Sequence, residues 1–215
     1  MKIVQKLISF LDNPEFINTH KQRPQDFTRH RTLDFKTICL FLLKQPQAAL
    51  APELNHFFQQ IKQSPLPCAV VSPQAFSKAR RKLKPAAFNA LNEQLQHFID
   101  QSGLRQNWCG LRLLAVDGST LHLPLESELS AFFGTHQNLP VGRASTLYDV
   151  TDGQVLHSLL VPLSMGERAC AASHLEAAPD NSLILFDRGY PCHWLCALHQ
   201  QKALNFVMRL KLNHT

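Results

Sequence analysis

No apolar run in the 215 residues is longer than the six of residues 38–43, far short of the ~20 that a membrane span needs. The opening Met1-Lys2-Ile3-Val4-Gln5-Lys6 has a charge where a signal peptide needs an apolar stretch, and no small-residue cleavage site. That argues against secretion and for a cytoplasmic location. The six cysteines form no Cys-x-x-Cys pair. Cys192 and Cys196, with His193 and His199 nearby, invite a zinc reading, but no second matched pair accompanies them, so reduced core thiols are expected. Acidic residues are scarce in the front half. Residues 1–107 carry 15 basic and 7 acidic side chains, net +8, whereas residues 108–215 carry 7 and 9, net −2. Repeats and low-complexity stretches are also missing.

What is present is a chain that is 45% hydrophobic and 18% charged, with a net charge of +6. It can bury a core, and an anionic partner suits its charge. The uneven charge predicts two domains, a basic helical one over 1–107 and a second over 108–215.

The first hundred residues read as helices divided by proline. Apolar stripes predict helices over 2–11, 32–44 and 52–62. Ser72-Pro73 opens another in the favoured way, with Ser as N-cap and Pro at the first helical position. Its apolar side is Ala75, Phe76, Ala79 and Leu83, and its outer side carries Lys78, Arg80, Arg81, Lys82 and Lys84. Five cations within seven residues, with no acid among them, exceed what a solvated helix face requires. They are the candidate DNA contacts. Pro85 restarts a helix to about residue 99.

After Trp108 the pattern changes. Strands are expected over 111–116, 145–150, 155–161, 182–186 and 203–212, and helices over 167–177 and 191–200. Three consecutive strands followed by alternating helices imply an α/β fold with a mixed sheet.

Two aspartates each follow a buried apolar run. Asp117 is followed by Gly118, and Asp187 by Arg188-Gly189. If the two strands are neighbours, the carboxylates converge, which is unfavourable unless a cation lies between them. Mg²⁺ suits such a pair, because it is held by one or two carboxylates plus substrate phosphate. The plain alternative is an Asp-Gly turn and a surface Asp-Arg pair. His122 and His174 are weaker candidates, and Ser119 has no partner for a triad. An aspartyl-phosphate phosphatase would need a second acid where Ser119 stands.

Leu114-Ala115-Val116-Asp117-Gly118-Ser119 and Leu185-Phe186-Asp187-Arg188-Gly189-Tyr190 resemble the first two acidic motifs of bacterial insertion-sequence transposases of the DDE class. The likeness is to the group with an Asp-Arg-Gly-Tyr motif. It extends to Gln74-Ala75-Phe76-Ser77-Lys78-Ala79-Arg80, Leu147-Tyr148-Asp149-Val150, Gly166-Glu167-Arg168 and Phe206-Val207-Met208-Arg209-Leu210. The resemblance implies a ribonuclease-H-like core, with Asp117 and Asp187 as catalytic and metal-binding residues. It also implies Mg²⁺ or Mn²⁺ as cofactor, with two ions in the family's complete site. The implied partners are double-stranded DNA at the element's ends and a second copy of the chain on that DNA.

The family's third acid is a glutamate within a Tyr-Arg-Glu-Lys signature. No glutamate follows Glu176 here. The expectation is therefore an N-terminal fragment whose ribonuclease-H-like core stops after about the fifth strand and is inactive alone. Glu167, Arg188 and Tyr190 are auxiliary candidates at the site. The rival expectation is a non-catalytic DNA-binding fragment that interferes with a full-length transposase.

Overall fold

A computed structural model describes residues 2–29, 31–66 and 69–210. Pro67, Cys68 and the last predicted strand residues, 211–212, lie outside them. The chain divides into two compact units, Met1–Phe98 and Ile99–Thr215. No helix among the described residues is long and apolar enough to cross a membrane.

The first unit is helical: α1 Lys2–Phe10, α2 Pro14–His20, α3 Phe35–Leu43, α4 Leu50–Lys62, α5 Pro73–Arg80 and most of α6 Ala86–Ser102. Asn13-Pro14 starts α2. The Asn13 side chain accepts the N–H groups of Glu15 and Phe16, with Pro14 in the first turn. α3 is capped by Asp34, whose carboxylate accepts the Thr37 N–H at 2.7 Å. Phenylalanine fills the core. Phe35, Phe41 and Phe76 are almost wholly buried, and the Phe41 and Phe76 rings meet edge to face at 4.6 Å. Such pairs add about 0.5–1.5 kcal/mol beyond the area they bury.

The basic helix is shorter than the sequence suggested. Ser72 caps α5 as expected, its hydroxyl accepting the Ala75 N–H at 3.2 Å, but the helix ends at Arg80. Pro85 disfavours helical geometry at Lys84, and the chain there turns extended. The Lys82 carbonyl accepts the Gln22 N–H, and the Lys84 N–H donates to the His20 carbonyl, both at 2.8 Å. The five cations therefore do not share one helix.

The second unit is mixed α/β: β1 Arg112–His122, α7 Ser127–Phe133, β2 Thr135–His136, β3 Leu139–Asp149, β4 Gln154–Pro162, α8 Glu167–Ala177, β5 Ser182–Phe186, α9 His193–Gln201 and β6 Asn205–Met208. The six strands form one mixed sheet. β3 runs antiparallel to β1 and β4, while β1, β5 and β6 are parallel neighbours. The predicted order of strands and helices holds, with α7 and the two-residue β2 added. β1 runs on past Asp117 to His122, because residues 117–122 keep pairing with β3. Leu114, Val116, Leu147, Ile184 and Phe186 form the core with Ala171 and Leu175 of α8 and Leu195 of α9.

Arg105, Arg112 and Asp149 hold the other end of β1 and β3. Asp149 is fully buried and accepts from Arg112 Nε at 2.7 Å, Arg105 Nη1 at 3.3 Å, and the Thr151 and Asp152 N–H groups. Burial alone would raise its pKa. The Asp152 N–H, Arg112 and Thr151 bonds overcome that and hold the carboxyl below the ordinary aspartate range.

Candidate functional site

β1 and β5 pair in parallel with Val116 opposite Phe186. Asp117 and Asp187 are the next residue on each path, so the sheet sets them side by side. Both are exposed. The Asp117 carboxylate accepts the N–H of Gly118 at 2.8 Å. Asp187 opens a tight turn in which the Tyr190 N–H donates to the Asp187 carbonyl at 3.1 Å.

Glu167 at the start of α8 lies between the glycines that follow the two aspartates. A methyl group built on Gly118 would sit 3.8 Å from Glu167 Cγ, and one built on Gly189 would sit 3.7 Å from Glu167 Oε2. Glu167 Oε1 is already held by Arg143 Nη1 of β3, at 2.5 Å. Arg168 Nε donates to the Gly189 carbonyl at 3.2 Å, tying α8 to the Asp187 turn. Tyr190 is 2% exposed, with its ring 5.3 Å from that of Phe186. Burial, then the charges of Glu167 and Asp117, push its pKa up to about 12. Arg188 is exposed and enters none of these contacts.

Two neighbouring carboxylates are the kind of donor that suits a hard cation keeping most of its waters. Among the described residues, no three His, Cys, Asp or Glu side chains are grouped so as to hold a metal ion. Among the described residues the three-acid arrangement of a complete two-ion site is thus not assembled. The Cys192, Cys196, His193 and His199 set does not gather either. His199 is buried between the rings of Phe186 and Phe206, and burial lowers its pKa.

A second polar cluster lies behind β1. His174 is fully buried, its Nε2 3.0 Å from Ser145 Oγ and its Nδ1 2.9 Å from His157 Nδ1. Burial, then the neighbouring His157, lowers the His174 pKa to about 4. His122 is exposed at the end of β1, and Ser119 is exposed beside the site.

The cations of the first unit divide by environment. Lys78, Arg80 and Arg81 are exposed. Lys84 Nζ donates to the Thr19 carbonyl at 2.8 Å, and Lys82 Nζ lies 3.8 Å from Asp26. Lys78 and Lys82 also line a cavity of about 680 Å³ with Arg31, Leu33, Val71 and Ala75. An adjoining cavity of about 270 Å³ adds Arg29. Sequence reasoning found the helix but missed Arg29 and Arg31, which stand nearly fifty residues upstream of Lys78 as isolated charges. It missed Arg143 for the same reason, since a lone cation within a strand carries no pattern.

No protein-family model matches the chain. It is 29% identical over 144 residues to a protein of Escherichia coli K12 named transposase InsZ, a match that covers 63% of this chain and 48% of InsZ. It is 30% identical over 131 residues to the transposase InsG for insertion sequence element IS4 of the same organism, covering 56% of this chain and 28% of InsG. The chain thus spans about half the length of InsZ, and less of InsG.

Proposed function

We propose that this relative of insertion-sequence transposases binds double-stranded DNA through its helical unit and handles DNA phosphodiester bonds in its α/β unit. The observation that carries the reading is that Val116 and Phe186, the residues just before Asp117 and Asp187, are register partners on neighbouring parallel strands. The sheet order, with three antiparallel strands followed by two parallel ones, agrees with a ribonuclease-H-like core.

Each part has a chemical task. Asp117 and Asp187 would hold Mg²⁺ or Mn²⁺, which supplies charge neutralisation at phosphorus and a more acidic bound water. The Gly118 N–H steadies the Asp117 carboxylate, and the Asp187 turn is anchored by Tyr190 and Arg168. Lys78, Arg80 and Arg81 would meet phosphates, with Lys82 and Arg31 beside them in the groove. Lys84 serves the fold, because its ammonium is committed to Thr19.

A second reading is favoured by one observation, the Arg143 pairing that occupies Glu167. With no third carboxylate in place, the chain would bind DNA without cutting it and compete with an active transposase for the same ends. A nicking assay on supercoiled DNA in Mn²⁺ separates the two. Nicking that disappears in Asp187→Ala supports strand cleavage. Retained DNA binding with no nicking in either protein supports the competitor.

A further inference from the structure

β6 brings a third charged residue to the level of the paired aspartates. It runs parallel to β5, with Leu185 opposite Val207 and Phe186 opposite Met208. The pairing continues one residue further, where the Arg209 N–H donates to the Phe186 carbonyl at 3.1 Å. Arg209 is therefore level with Asp187, as Asp187 is with Asp117. The row Asp117, Asp187, Arg209 crosses three neighbouring parallel strands at one end of the sheet, in steps of about 4.8 Å. We infer that Arg209 holds a phosphodiester oxygen of DNA beside the cation carried by the two aspartates. The inference rests on the functional reading above and names a residue that grips the phosphate.

Strand alternation decides which way Arg209 faces, because successive side chains point to opposite faces of a sheet. Val116, Phe186 and Met208 all pack on the core formed with α8 and α9. The residues that follow them, Asp117, Asp187 and Arg209, leave that face, and all three are exposed. Val207, just before Met208, is 53% exposed on the same outer side. The row is thus open to a ligand as large as a DNA duplex. Other arginines nearby are already engaged, Arg143 with Glu167 and Arg168 with the Gly189 carbonyl. Among the described residues, no carboxylate pairs with the Arg209 guanidinium.

The chemistry is complementary. A phosphodiester drawn to a cation on the aspartates still carries an anionic oxygen. Arginine suits that oxygen, since its planar guanidinium stays charged and offers paired N–H groups in a phosphate-matching geometry. It has no acceptor atom with which to compete for a metal. Its place one strand beyond Asp187 leaves the space between the two carboxylates to the cation.

Arg209→Ala tests this on the full chain. Three quantities are measured: the melting temperature, Mn²⁺ affinity by calorimetry, and affinity for a short DNA duplex in Mn²⁺ and in EDTA. The ratio of the two DNA affinities isolates the aspartate site, because the cations of the helical unit need no metal. The variant should melt with the wild type, since the side chain is exposed. Its Mn²⁺ affinity should not fall, and its DNA affinity in EDTA should stay close to that of the wild type. The gain in DNA affinity from Mn²⁺ should fall about tenfold, the worth of one charge-assisted hydrogen bond.

An equal loss in Mn²⁺ and in EDTA would overturn the inference, because Arg209 would then be one more non-specific cation. A fall in Mn²⁺ affinity would also overturn it, by tying the guanidinium to the carboxylates rather than to the phosphate. If the wild type binds no Mn²⁺ at all, the functional reading falls and takes this inference with it. Wild-type Mn²⁺ binding with no gain in DNA affinity, or with the same gain in the variant, sinks the inference alone.

Discussion

Asp117 and Asp187 stand at the same level of the sheet, one inside β1 and the other just past the end of β5, because Val116 and Phe186 are register partners. Their proximity follows from strand pairing. The chain between them, about seventy residues, can vary without disturbing it as long as β1 and β5 stay paired.

Stability should fall with acid in a window set by His174. Its folded pKa is lowered from 6.5 to about 4 by burial and by His157, so the unfolded chain binds the extra proton first. The stabilisation is complete above about pH 6.5 and is lost as the pH drops toward 4, at up to ~1.4 kcal/mol per pH unit. Urea melts at stepped pH should give that slope for the wild type and a flatter one for His174→Gln. Equal slopes would exclude His174 as the source.

Asp149→Asn should destabilise the α/β unit by roughly 3–5 kcal/mol, the range for removing one partner of a buried ion pair. The amide cannot neutralise both Arg105 and Arg112, which approach the carboxylate from separate segments. Thermal unfolding followed by circular dichroism reads this, and a loss below 1 kcal/mol would contradict the network's role.

DNA affinity should depend on the exposed cations and not on Lys84. Lys78→Ala combined with Arg80→Ala and Arg81→Ala should lower the slope of log affinity against log salt by roughly 2–3. Lys84→Ala should leave the slope intact and lower the melting temperature, since it frees the Thr19 carbonyl. A triple variant with an unchanged slope would remove α5 from the DNA interface.

Much of this was legible in the sequence, for identifiable reasons. Asp117 and Asp187 each follow an apolar run, and a strand with one face buried and the other half-buried leaves that mark. Ser72-Pro73 encoded the start of α5. The end of α5 was misread because Leu83 continues the helical stripe, although it faces Lys21 in an isolated bridge. The apolar period carried no trace of that long-range pairing, while Pro85 did. α7 was missed because none of its residues is buried, so no stripe announces it. Glu167 is legible as an auxiliary at a helix start, but its pairing with Arg143 depends on β3 lying beside β1. Only the folded sheet supplies that contact.

The central claim, that Asp117 and Asp187 together hold a divalent cation, is tested most directly by titrating Mn²⁺ into the wild type and into Asp117→Asn and Asp187→Asn. Calorimetry should show binding in the wild type that is lost or strongly weakened in either variant, with all three proteins melting at similar temperatures because both side chains are exposed. Wild-type Mn²⁺ binding that survives intact in both variants would contradict the account.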